Sequence, residues 1–486
     1  MKSYMKRLFT DSAAFAVSTF GNKLAALLLV PVYTRYLTGI GELADWGLTN
    51  TVTLILSYIC ILGTDAAMAF YFYDAKNEVE RRTYFSHAII FSIGMCLLFT
   101  LIVWFTGEPL AEFVYQDGKD YNLLLPIAFM ATLGAIIIQH ILAYARYQRK
   151  VWLFNFFSMA YVIGSSLLSI YFLVYQKQGV VGIFIGQLIG QLSIALMLIW
   201  LFRKEFIFRP SFSHLRQLIQ YGLPLLPTLI SFWVMTSVSR PILYHLDSPH
   251  YADIYEACIR IASFIVLLTS PFQLAWRPFS MSIKEKADAP QIYGFVGRIF
   301  FVVGTWFILV LTFFIDPLYQ WIIGRPDIQE GYLYVWALSL GTLLNVLHHV
   351  FGVGLLIEKK TKLISYGFTI AAVIFLLGNL LLVPLFHIWG SVIMTIASYL
   401  FVIIWVYIQN QKVYPIDFRF GSILTYLLVY VTVMGIISWA QATQFEFLWL
   451  VYLLGLVITI MTALGTRLIH FQTVYQMGER WFKLKK

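Results

Sequence analysis

The sequence predicts an all-α integral membrane protein with about 14 transmembrane helices, and three observations predict it. The 486 residues are 60% hydrophobic and only 12% charged, whereas about 25% of a soluble globular chain is charged. Apolar runs of about 20 residues, enough to cross a bilayer, recur along the whole chain. Lysines and arginines concentrate in alternate gaps between these runs. The runs are continuous rather than alternating, which excludes a β-barrel.

Fourteen apolar runs are long enough to span the membrane, and each is predicted to form one helix. They lie at residues 12–37, 44–69, 83–106, 121–145, 151–175, 180–202, 217–243, 251–275, 292–315, 330–357, 363–383, 388–408, 420–439 and 446–466. The first run is predicted to be retained, because it is too long for a cleavable signal peptide and no small-residue cleavage site follows it.

The positive residues predict how these helices are oriented. Of the 34 lysines and arginines, 26 fall in one alternating set of gaps, and only Lys119, Lys177 and Arg325 fall in the other set. Short loops rich in lysine and arginine stay in the cytoplasm, so both termini are predicted to be cytoplasmic and the number of helices to be even. The net charge of +10 is therefore explained by the orientation of the helices in the membrane. Some of the cytoplasmic lysines and arginines are expected to contact anionic lipid head groups. No nucleic-acid partner is predicted.

The sequence contains no motif of an enzyme, a cofactor site or a metal site. Cys60, Cys96 and Cys258 lie within apolar runs without CxxC spacing, so neither disulfides nor zinc are predicted. The phosphate loop G-x-x-x-x-G-K-[ST] and the GxSxG and HExxH signatures are missing. The longest gaps on the predicted outer side, 107–120 and 316–329, are too short for a catalytic domain. We therefore expect no catalytic residues, no cofactor and no metal.

The two halves of the chain share a weak repeat. Arg35 precedes a short turn and the segment ELADWGL, and Arg240 precedes a turn and the pair Ala252-Asp253. Six helices separate these stretches, so both halves insert in the same orientation, which predicts two six-helix lobes related by a parallel pseudo-two-fold plus two C-terminal helices. The predicted domains are an N-terminal lobe over 1–202, a cytoplasmic linker over 203–216, a C-terminal lobe over 217–409, and a last segment over 410–486 with two helices and a basic cytoplasmic tail.

Five positive residues lie inside the predicted helices: Lys23, Arg35, Arg240, Arg260 and Arg298. A charge at the bilayer centre costs on the order of 2.5–3.5 kcal/mol, so such residues persist where they face a wet cavity or a partner. Counted from the helix ends, Lys23 is expected roughly 16 Å deep and Arg260 roughly 14 Å deep, whereas Arg35 and Arg240 are nearer to the outer end. Arg298 fits an interfacial anchor equally well. These positions predict a cavity of positive potential for an anion that carries phosphate or carboxylate.

Three acidic residues inside the helices are candidates for ion pairing or for coupling to an ion gradient: Asp65, Asp253 and Glu256. Asp253 and Glu256 share a helix face with Arg260, and Glu256 precedes Arg260 by four residues, an order that favours an ion pair. For Asp65, two alternatives stay open, pairing with a cytoplasmic arginine or proton coupling.

Three prolines are candidate hinges. Pro31 lies in the first predicted helix, and Pro224 and Pro227 lie in the seventh. Proline removes one backbone hydrogen bond and can kink a helix. These positions are therefore predicted to let the two lobes rock.

Five stretches of the chain carry a resemblance to a known family. They are LLLVPVYTRYLTGIGELADWGL, ARYQRK, RPILYHLDSPHYADIYEACIRIA, FQLAWRPFSM and EKKTKLISYGFTIAAVIFLLGNLLLVPLFHIWGSVIMT. In order and spacing, over nearly the full length, the chain resembles the Wzx-type polysaccharide or O-antigen lipid flippases. These belong to the polysaccharide transporter family of the multidrug/oligosaccharidyl-lipid/polysaccharide exporter superfamily.

The resemblance implies a function in the bacterial plasma (inner) membrane. Such a flippase moves a polyprenyl-pyrophosphate-linked oligosaccharide repeat unit from the cytoplasmic to the outer leaflet for surface polysaccharide biosynthesis. It works by alternating access through a cationic central cavity. The residues implied to bind substrate are Lys23, Arg35, Arg240 and Arg260. The implied partners are the lipid-linked glycan, membrane lipids, and a polysaccharide polymerase or glycosyltransferases.

The sequence differs from the lipid II flippases in one respect, which favours one class of cargo. Two alternative functions stay open. The second predicted helix, 44–69, has no arginine, unlike lipid II flippases, which favours a surface-polysaccharide unit over a peptidoglycan precursor. The first alternative is a multidrug or cation antiporter of the same superfamily, which would have an acidic cavity. The second is a non-transporting subunit of a polysaccharide synthase complex, whose loss would leave no lipid-linked sugar at the inner leaflet.

Overall fold

The computed structural model describes residues 21–25, 28–115, 121–207 and 211–469. Within these residues the chain is helical with short connections and contains no β-strand. Thirteen helices are long and apolar enough to cross a membrane, which confirms an all-α membrane protein. The first predicted helix, 12–37, lies partly outside the described residues, so the count of 14 stays a prediction.

We number the helices α1 to α14 in chain order, where α1 denotes the helical residues 21–25 and 28–36 and α2 to α14 are the thirteen candidate spans. The others are α2 (Glu42–Asp74), α3 (Glu78–Phe105), α4 (Leu124–Tyr147), α5 (Val151–Tyr175), α6 (Gly179–Leu201), α7 (Phe212–Ser237), α8 (Pro249–Ile283), α9 (Ala289–Phe313), α10 (Pro326–Phe351), α11 (Lys362–Phe386), α12 (Ile388–Val413), α13 (Phe420–Ala442) and α14 (Leu448–Gly465). Shorter helices lie in the connections at Gly107–Val114, Ser239–Leu246, Ile315–Ile323 and Val353–Ile357.

Two spanning helices are interrupted, and their interruptions meet. α2 breaks at Leu62 and Gly63, whose left-handed backbones have φ of 51° and 70°. α7 contains a 3-10 turn at Leu223–Leu225. A Cβ placed on Gly63 would lie 2.6 Å from the carbonyl oxygen of Gly222, so the two backbones touch and only glycine fits there.

Of the three predicted hinge prolines, one lies in a 3-10 turn and two lie in α-helical segments. Pro224 lies within the 3-10 turn of α7, and Pro227 lies in the first turn of the α-helix that follows it, Leu226–Ser237. Pro31 lies inside the helical residues 28–36 of α1. Whether the chain bends at these prolines during a transport cycle stays a prediction.

Contacts divide the chain into two compact units. Among the described residues, the first unit takes the chain up to Ala257, together with Ile322–Ile328 and Leu376–Ile388. The second unit takes the remaining residues from Cys258 onward. The first unit therefore continues past the linker 203–216. The predicted division of the chain into lobes on either side of that linker stays a prediction.

The first unit is built around α4, which has 78% of its most apolar stretch buried. Beside it, α5 and α6 pack with their backbones nearly in contact. A Cβ on Gly186 would lie 2.2 Å from the backbone nitrogen of Ser169, and a Cβ on Gly190 would lie 2.6 Å from the Cα of Ser165. Small residues at such spacing let membrane helices approach closely.

In the second unit, hydrogen bonds of aromatic side chains join the last two helices to α9 and α10. Tyr430 of α13 donates its hydroxyl to the carbonyl oxygen of Thr305 at 3.1 Å. Tyr452 of α14 donates to that of Thr312 at 2.7 Å. Trp336 of α10 donates its indole N–H to a serine of α13. Buried tyrosine and tryptophan need such partners, so these bonds fix α13 and α14 within the second unit.

Candidate transport site

The four cationic residues implied to bind substrate lie in different surroundings. Lys23 is half-buried in α1, and Arg35 is exposed near the end of α1. Arg240 lies in the short helix Ser239–Leu246, and Arg260 is half-buried in α8. Lys23, Arg35 and Arg240 belong to the first unit, whereas Arg260 belongs to the second. A cavity shared by Lys23 and Arg260 therefore stays a prediction.

Arg240 is bonded to an acidic residue of α8. Its Nε atom lies 2.6 Å from Oε2 of Glu256, and its Nη1 atom donates to the carbonyl oxygen of Thr236 at 3.1 Å. Only 1% of the Glu256 side chain is exposed, against 16% of Arg240. A short, charge-assisted bond away from water is strong. Helical spacing predicts Arg260 as a partner of Glu256. The pair with Arg240 joins two different helices, so helical spacing could not predict it.

Asp253 caps the start of α2. Its carboxylate accepts the backbone N–H groups of Gly41 at 2.9 Å and of Ala44 at 2.7 Å, and the residue is 0% exposed. The first N–H groups of a helix have no partner within it and form the positive end of its dipole. Gly41 at the N-cap position has no side chain for this purpose, so α8 supplies the missing carboxylate.

Arg325, from the gap before α10, completes this contact. Its Nη2 atom lies 3.5 Å from Oδ2 of Asp253 and also pairs with Asp327. Its Nη1 atom donates to the carbonyl oxygen of Leu37 at 2.8 Å, and its side chain is only 5% exposed. The sequence identifies Arg325 only as a loop charge. Its one signal is its place in a set of gaps that holds only two other positive residues.

Asp45, in the first turn of α2, is surrounded by tyrosines. It is 0% exposed and accepts the hydroxyl of Tyr244 at 2.8 Å and that of Tyr121 at 3.2 Å. Beside them, the hydroxyl oxygens of Tyr115 and Thr49 lie 2.6 Å apart. Burial raises the pKa of the Tyr115 phenol above its usual value, and the Asp45 carboxylate raises it further. Tyr115 therefore stays neutral at any physiological pH.

Glu256 also fits a notch in α2. A Cβ added to Gly47 would lie 2.6 Å from Oε2 of Glu256. The carboxylate therefore lies directly against the α2 backbone, and the glycine is what lets α8 approach so closely.

These charged residues form one group, which we call the charge cluster: Asp45, Arg240, Asp253, Glu256 and Arg325. All five belong to the first unit, and its three acidic residues are buried. Buried charges are costly unless they are paired and hydrogen-bonded. Arginines, tyrosine hydroxyls and backbone N–H groups supply those bonds here. The segments that the cluster joins all lie at the ends of helices that the sequence predicts to be outside the cytoplasm.

Asp65 lies apart from the charge cluster, directly after the break in α2. One of its oxygens accepts the N–H of Ala66 at 2.8 Å, and the other lies 3.4 Å from Nε2 of Gln139. The side chain is half-buried. The partners that the structure gives it are thus a helix N–H and an amide, and its part in ion coupling stays a prediction.

The other end of the first unit carries a second charged group around Arg82, which we call the basic-end group. Arg82 of α3 lies 2.8 Å from Glu78 and 2.8 Å from Glu205. The exposed fractions of these side chains are 32%, 67% and 15%. The backbone N–H of Ile207 donates to Ser86 of α3 at 2.8 Å. The chain around the predicted linker therefore binds α3 in a region that the sequence predicts to be cytoplasmic.

Solved structures of similar fold include a flippase and several transporters. The lipid II flippase MurJ in an inward closed conformation has a TM-score of 0.73 at 14% identity, with 93% of this chain and 98% of that chain covered. A Vibrio cholerae MATE transporter has a TM-score of 0.59 at 13% identity, with 83% and 98% covered. An inward-facing multidrug resistance MATE transporter of the MOP superfamily has 0.58 at 15% identity, with 82% and 98% covered. The chain has the fold of these transporters.

A sequence family is matched as well. Residues 43–293 match the family described as polysaccharide biosynthesis protein, and these are more than half of the 486 residues. The chain belongs to this polysaccharide biosynthesis protein family, which confirms the resemblance seen in its motifs. A relative in Haemophilus influenzae, named "Lsg locus putative protein 1", is 20% identical over 385 residues, 76% of this chain and 90% of the relative. The family match ends before Arg325.

Proposed function

We propose that the chain is a flippase that moves a polyprenyl-pyrophosphate-linked oligosaccharide repeat unit from the cytoplasmic to the outer leaflet for surface polysaccharide biosynthesis. The observation that carries this proposal is membership of the polysaccharide biosynthesis protein family in a chain with a transporter fold. Positive residues embedded in apolar helices suit a cargo with an anionic head group. The lack of arginine in α2 favours a surface-polysaccharide unit as the cargo.

The cationic residues take successive roles in this proposal. Lys23 and Arg260 neutralise the pyrophosphate near the middle of the membrane, where a charge without a counter-charge is most costly. Arg35, exposed at the end of α1, receives it nearer to the exit. Arg240 receives it there as well, once its guanidinium leaves Glu256.

The transport cycle in this proposal is alternating access. The head group crosses through a wet cavity, and the polyprenyl tail stays in the lipid, where its burial costs nothing. Rocking of the two lobes at Pro31, Pro224 and Pro227 switches the side to which the cavity opens. Of these, Pro224 already interrupts the α-helical hydrogen bonding of α7.

The proposed setting is the plasma membrane of a bacterium, with both chain termini in the cytoplasm. The uneven division of lysines and arginines between alternate gaps supports this orientation. A polysaccharide polymerase or glycosyltransferases would consume or supply the lipid-linked unit, and they are the proposed protein partners. The mechanism needs no catalytic residue in this chain.

A complementation experiment tests the function. Cells that lack the chain should lose surface polysaccharide and accumulate the lipid-linked unit at the inner leaflet. Wild type should restore export, whereas Lys23→Gln combined with Arg260→Gln should not. Lys177→Gln, which removes a positive charge from a connection between helices, is the matched control and should restore export. Full export by the double variant at equal membrane levels would remove the cationic-cavity mechanism.

A multidrug or cation antiporter is the second candidate, because MATE transporters share the fold. It requires carboxylates that a cationic drug can reach. Asp253 and Glu256 disfavour it, since both are fully buried and bonded to arginines. Efflux of cationic dyes from a sensitive host would support the antiporter. A third candidate, a non-transporting synthase subunit, is supported if loss of the chain leaves no lipid-linked unit at the inner leaflet.

A further inference from the structure

Arg298 of α9 is the one arginine within the predicted helices to which the proposed function gives no role. Its Nη1 atom donates to the carbonyl oxygen of Asp417 at 2.9 Å. Its Nε atom is buried and has no hydrogen-bond partner among the residues that the structure describes. The edge formed by Nε and Nη2 is therefore left for another partner, and this edge of a guanidinium can bind two oxygens of a phosphate at once.

A second arginine, Arg419, lies beside the first. Its backbone N–H donates to Oδ1 of Asp417 at 3.0 Å, and its Nη1 atom donates to the carbonyl oxygen of Arg467 at 2.7 Å. Arg419 is close enough that its positive charge acts on Arg298. These bonds thus bring together three arginines and one carboxylate, and 76% of the Asp417 side chain is exposed. The group, which we call the arginine site, has an excess of positive charge.

The start of α13 adds to this positive potential. Arg419 is the N-cap residue of α13, and no side chain caps the helix there. The first N–H groups of a helix have no partner within it and attract anions. Gly421 lies in the same first turn, and a Cβ added to it would meet no described atom within 4 Å. Open space therefore lies directly beside the uncapped N–H groups.

An apolar crevice of about 50 Å³ lies next to the arginine site. Only apolar side chains line it, and they come from α9, α10, α12 and α13. Two of them adjoin the arginines, because Phe301 is three residues after Arg298 on α9 and Phe420 directly follows Arg419. Leu424, also in the lining, is 42% exposed. The crevice therefore opens on an apolar helix surface, and its volume suits a short stretch of an acyl chain.

We propose that the arginine site and the crevice bind one phospholipid whose head group carries a net negative charge. Its phosphate contacts Arg298, Arg419 and the start of α13, and part of one acyl chain enters the crevice. The sequence predicts that this end of the helices faces the cytoplasm, and basic pockets between membrane helices on that side suit acidic head groups. All of these residues belong to the second unit, and the lipid is not the cargo, so the inference goes beyond the proposed function.

The combination of charge and crevice favours an anionic phospholipid over other sources of phosphate. Inorganic phosphate would bond to the arginines but would leave the crevice empty, whereas an acyl chain gains dispersion contacts there. A phosphatidylcholine has the same phosphate and chains, but it also carries a quaternary ammonium group, which the arginines repel.

Lipid binding to the purified full chain in detergent tests the site. Native mass spectrometry counts the bound lipids while dioleoylphosphatidylglycerol or dioleoylphosphatidylcholine is titrated. The tightest site should prefer the glycerol lipid at least about tenfold, because its phosphate makes charge-assisted bonds without a nearby cation. Inorganic phosphate and a polyprenyl phosphate are then added as competitors at the concentration of the lipid, and neither should displace it. Equal affinity for the two phospholipids, or displacement by either competitor, would overturn the site.

Charge variants locate the tightest site. Arg298→Gln and Arg419→Gln should each weaken binding of the glycerol lipid at least about tenfold. Lys412→Gln is the matched control, because it removes an exposed positive charge at the end of α12, and it should change the affinity less than about twofold. Unchanged affinity in Arg298→Gln, or an equal loss in Lys412→Gln, would overturn the site.

A glycine pair in α13 tests the open space without changing any charge. Gly421→Leu fills the space beside the uncapped N–H groups and should weaken binding at least about tenfold. Gly435→Leu is the control, since Gly435 is exposed on the same helix and an added Cβ there also meets no described atom within 4 Å. Its affinity should equal that of wild type, and equal affinities in both variants would overturn the site. Because no transport is measured, failure of the flippase function would appear in the export assay and not in these affinities.

Discussion

The charge cluster and the basic-end group are built from the same side chains and differ in burial. The Arg240–Glu256 and Arg82–Glu205 ion pairs have similar lengths, 2.6 Å and 2.8 Å. In the first pair 16% and 1% of the side chains are exposed, and in the second 32% and 15%. Exposed pairs contribute about 0–1 kcal/mol, whereas breaking a buried pair costs about 3–5 kcal/mol. Burial, rather than the length of the ion pair, therefore decides which charges hold helices together.

The largest effect is expected at Asp253. Asp253→Ala removes the acceptor of two helix N–H groups and the partner of buried Arg325, so the stability of the folded protein should fall by about 3–5 kcal/mol. The measurement is thermal unfolding of the purified protein in detergent. Asp327→Ala, at the half-exposed partner of Arg325, is the control and should cost less than about 1 kcal/mol. Equal small shifts would show that burial does not decide how much each partner of Arg325 contributes.

A smaller effect is expected from one hydroxyl group. Tyr244→Phe removes the bond to Asp45 and leaves a buried carboxylate with one donor fewer, which should cost about 1.5–3 kcal/mol. Tyr171→Phe is the control, because the bond that the structure gives its hydroxyl is one accepted from exposed Gln176. The same unfolding assay applies. A loss at Tyr171 as large as that at Tyr244 would argue against a special role for the buried network.

The next prediction concerns Gly47 of α2, which packs against the carboxylate of Glu256. Gly47→Ala puts a methyl group 2.6 Å from Oε2 of Glu256, so the carboxylate must leave its notch at a cost of about 1–3 kcal/mol. Gly94→Ala in α3 has no neighbour within 4 Å of the new atom and should be neutral or stabilising by up to about 1 kcal/mol. The unfolding temperatures of both variants check this. A neutral Gly47→Ala would contradict the close contact between α2 and α8.

The smallest effect is expected in the basic-end group. Arg82→Gln should cost less than about 1 kcal/mol, because its ion pairs are screened by solvent. The difference from wild type should shrink further when the ionic strength of the unfolding assay is raised. A cost comparable to that of Asp253→Ala would remove the distinction between the two regions.

Much of the fold could be predicted, because a helix that crosses the bilayer needs about 20 apolar residues, and such runs are visible in the sequence. The predicted helix 446–466 is observed as Leu448–Gly465, and 83–106 as Glu78–Phe105. The prediction was less complete for α2. The predicted helix 44–69 is observed as Glu42–Asp74, and it contains a break at Gly63 that was not predicted. Hydropathy does not detect that break, because it does not register the left-handed backbone of Leu62 and Gly63 or their contact with Gly222 of α7.

The charged residues of the site could be found, but not their partners. Arg240, Asp253 and Glu256 stand out because charges are rare inside apolar helices. Which groups they bind depends on packing between segments about 200 residues apart, as with Asp253 and Ala44. Arg325 was missed as a site residue for the same reason, since a loop arginine and a buried one look alike in a sequence.

The central claim is that basic residues in the membrane bind the anionic head group of a lipid during its transport. One measurement tests this claim directly. The purified chain is reconstituted in vesicles with a labelled polyprenyl-pyrophosphate-linked oligosaccharide, and transfer between leaflets is followed over time. We expect wild type to accelerate transfer, and Lys23→Gln with Arg260→Gln to slow it at least about tenfold, as the loss of about 1.4 kcal/mol in the transfer step would. Equal rates for wild type and the double variant would contradict the account.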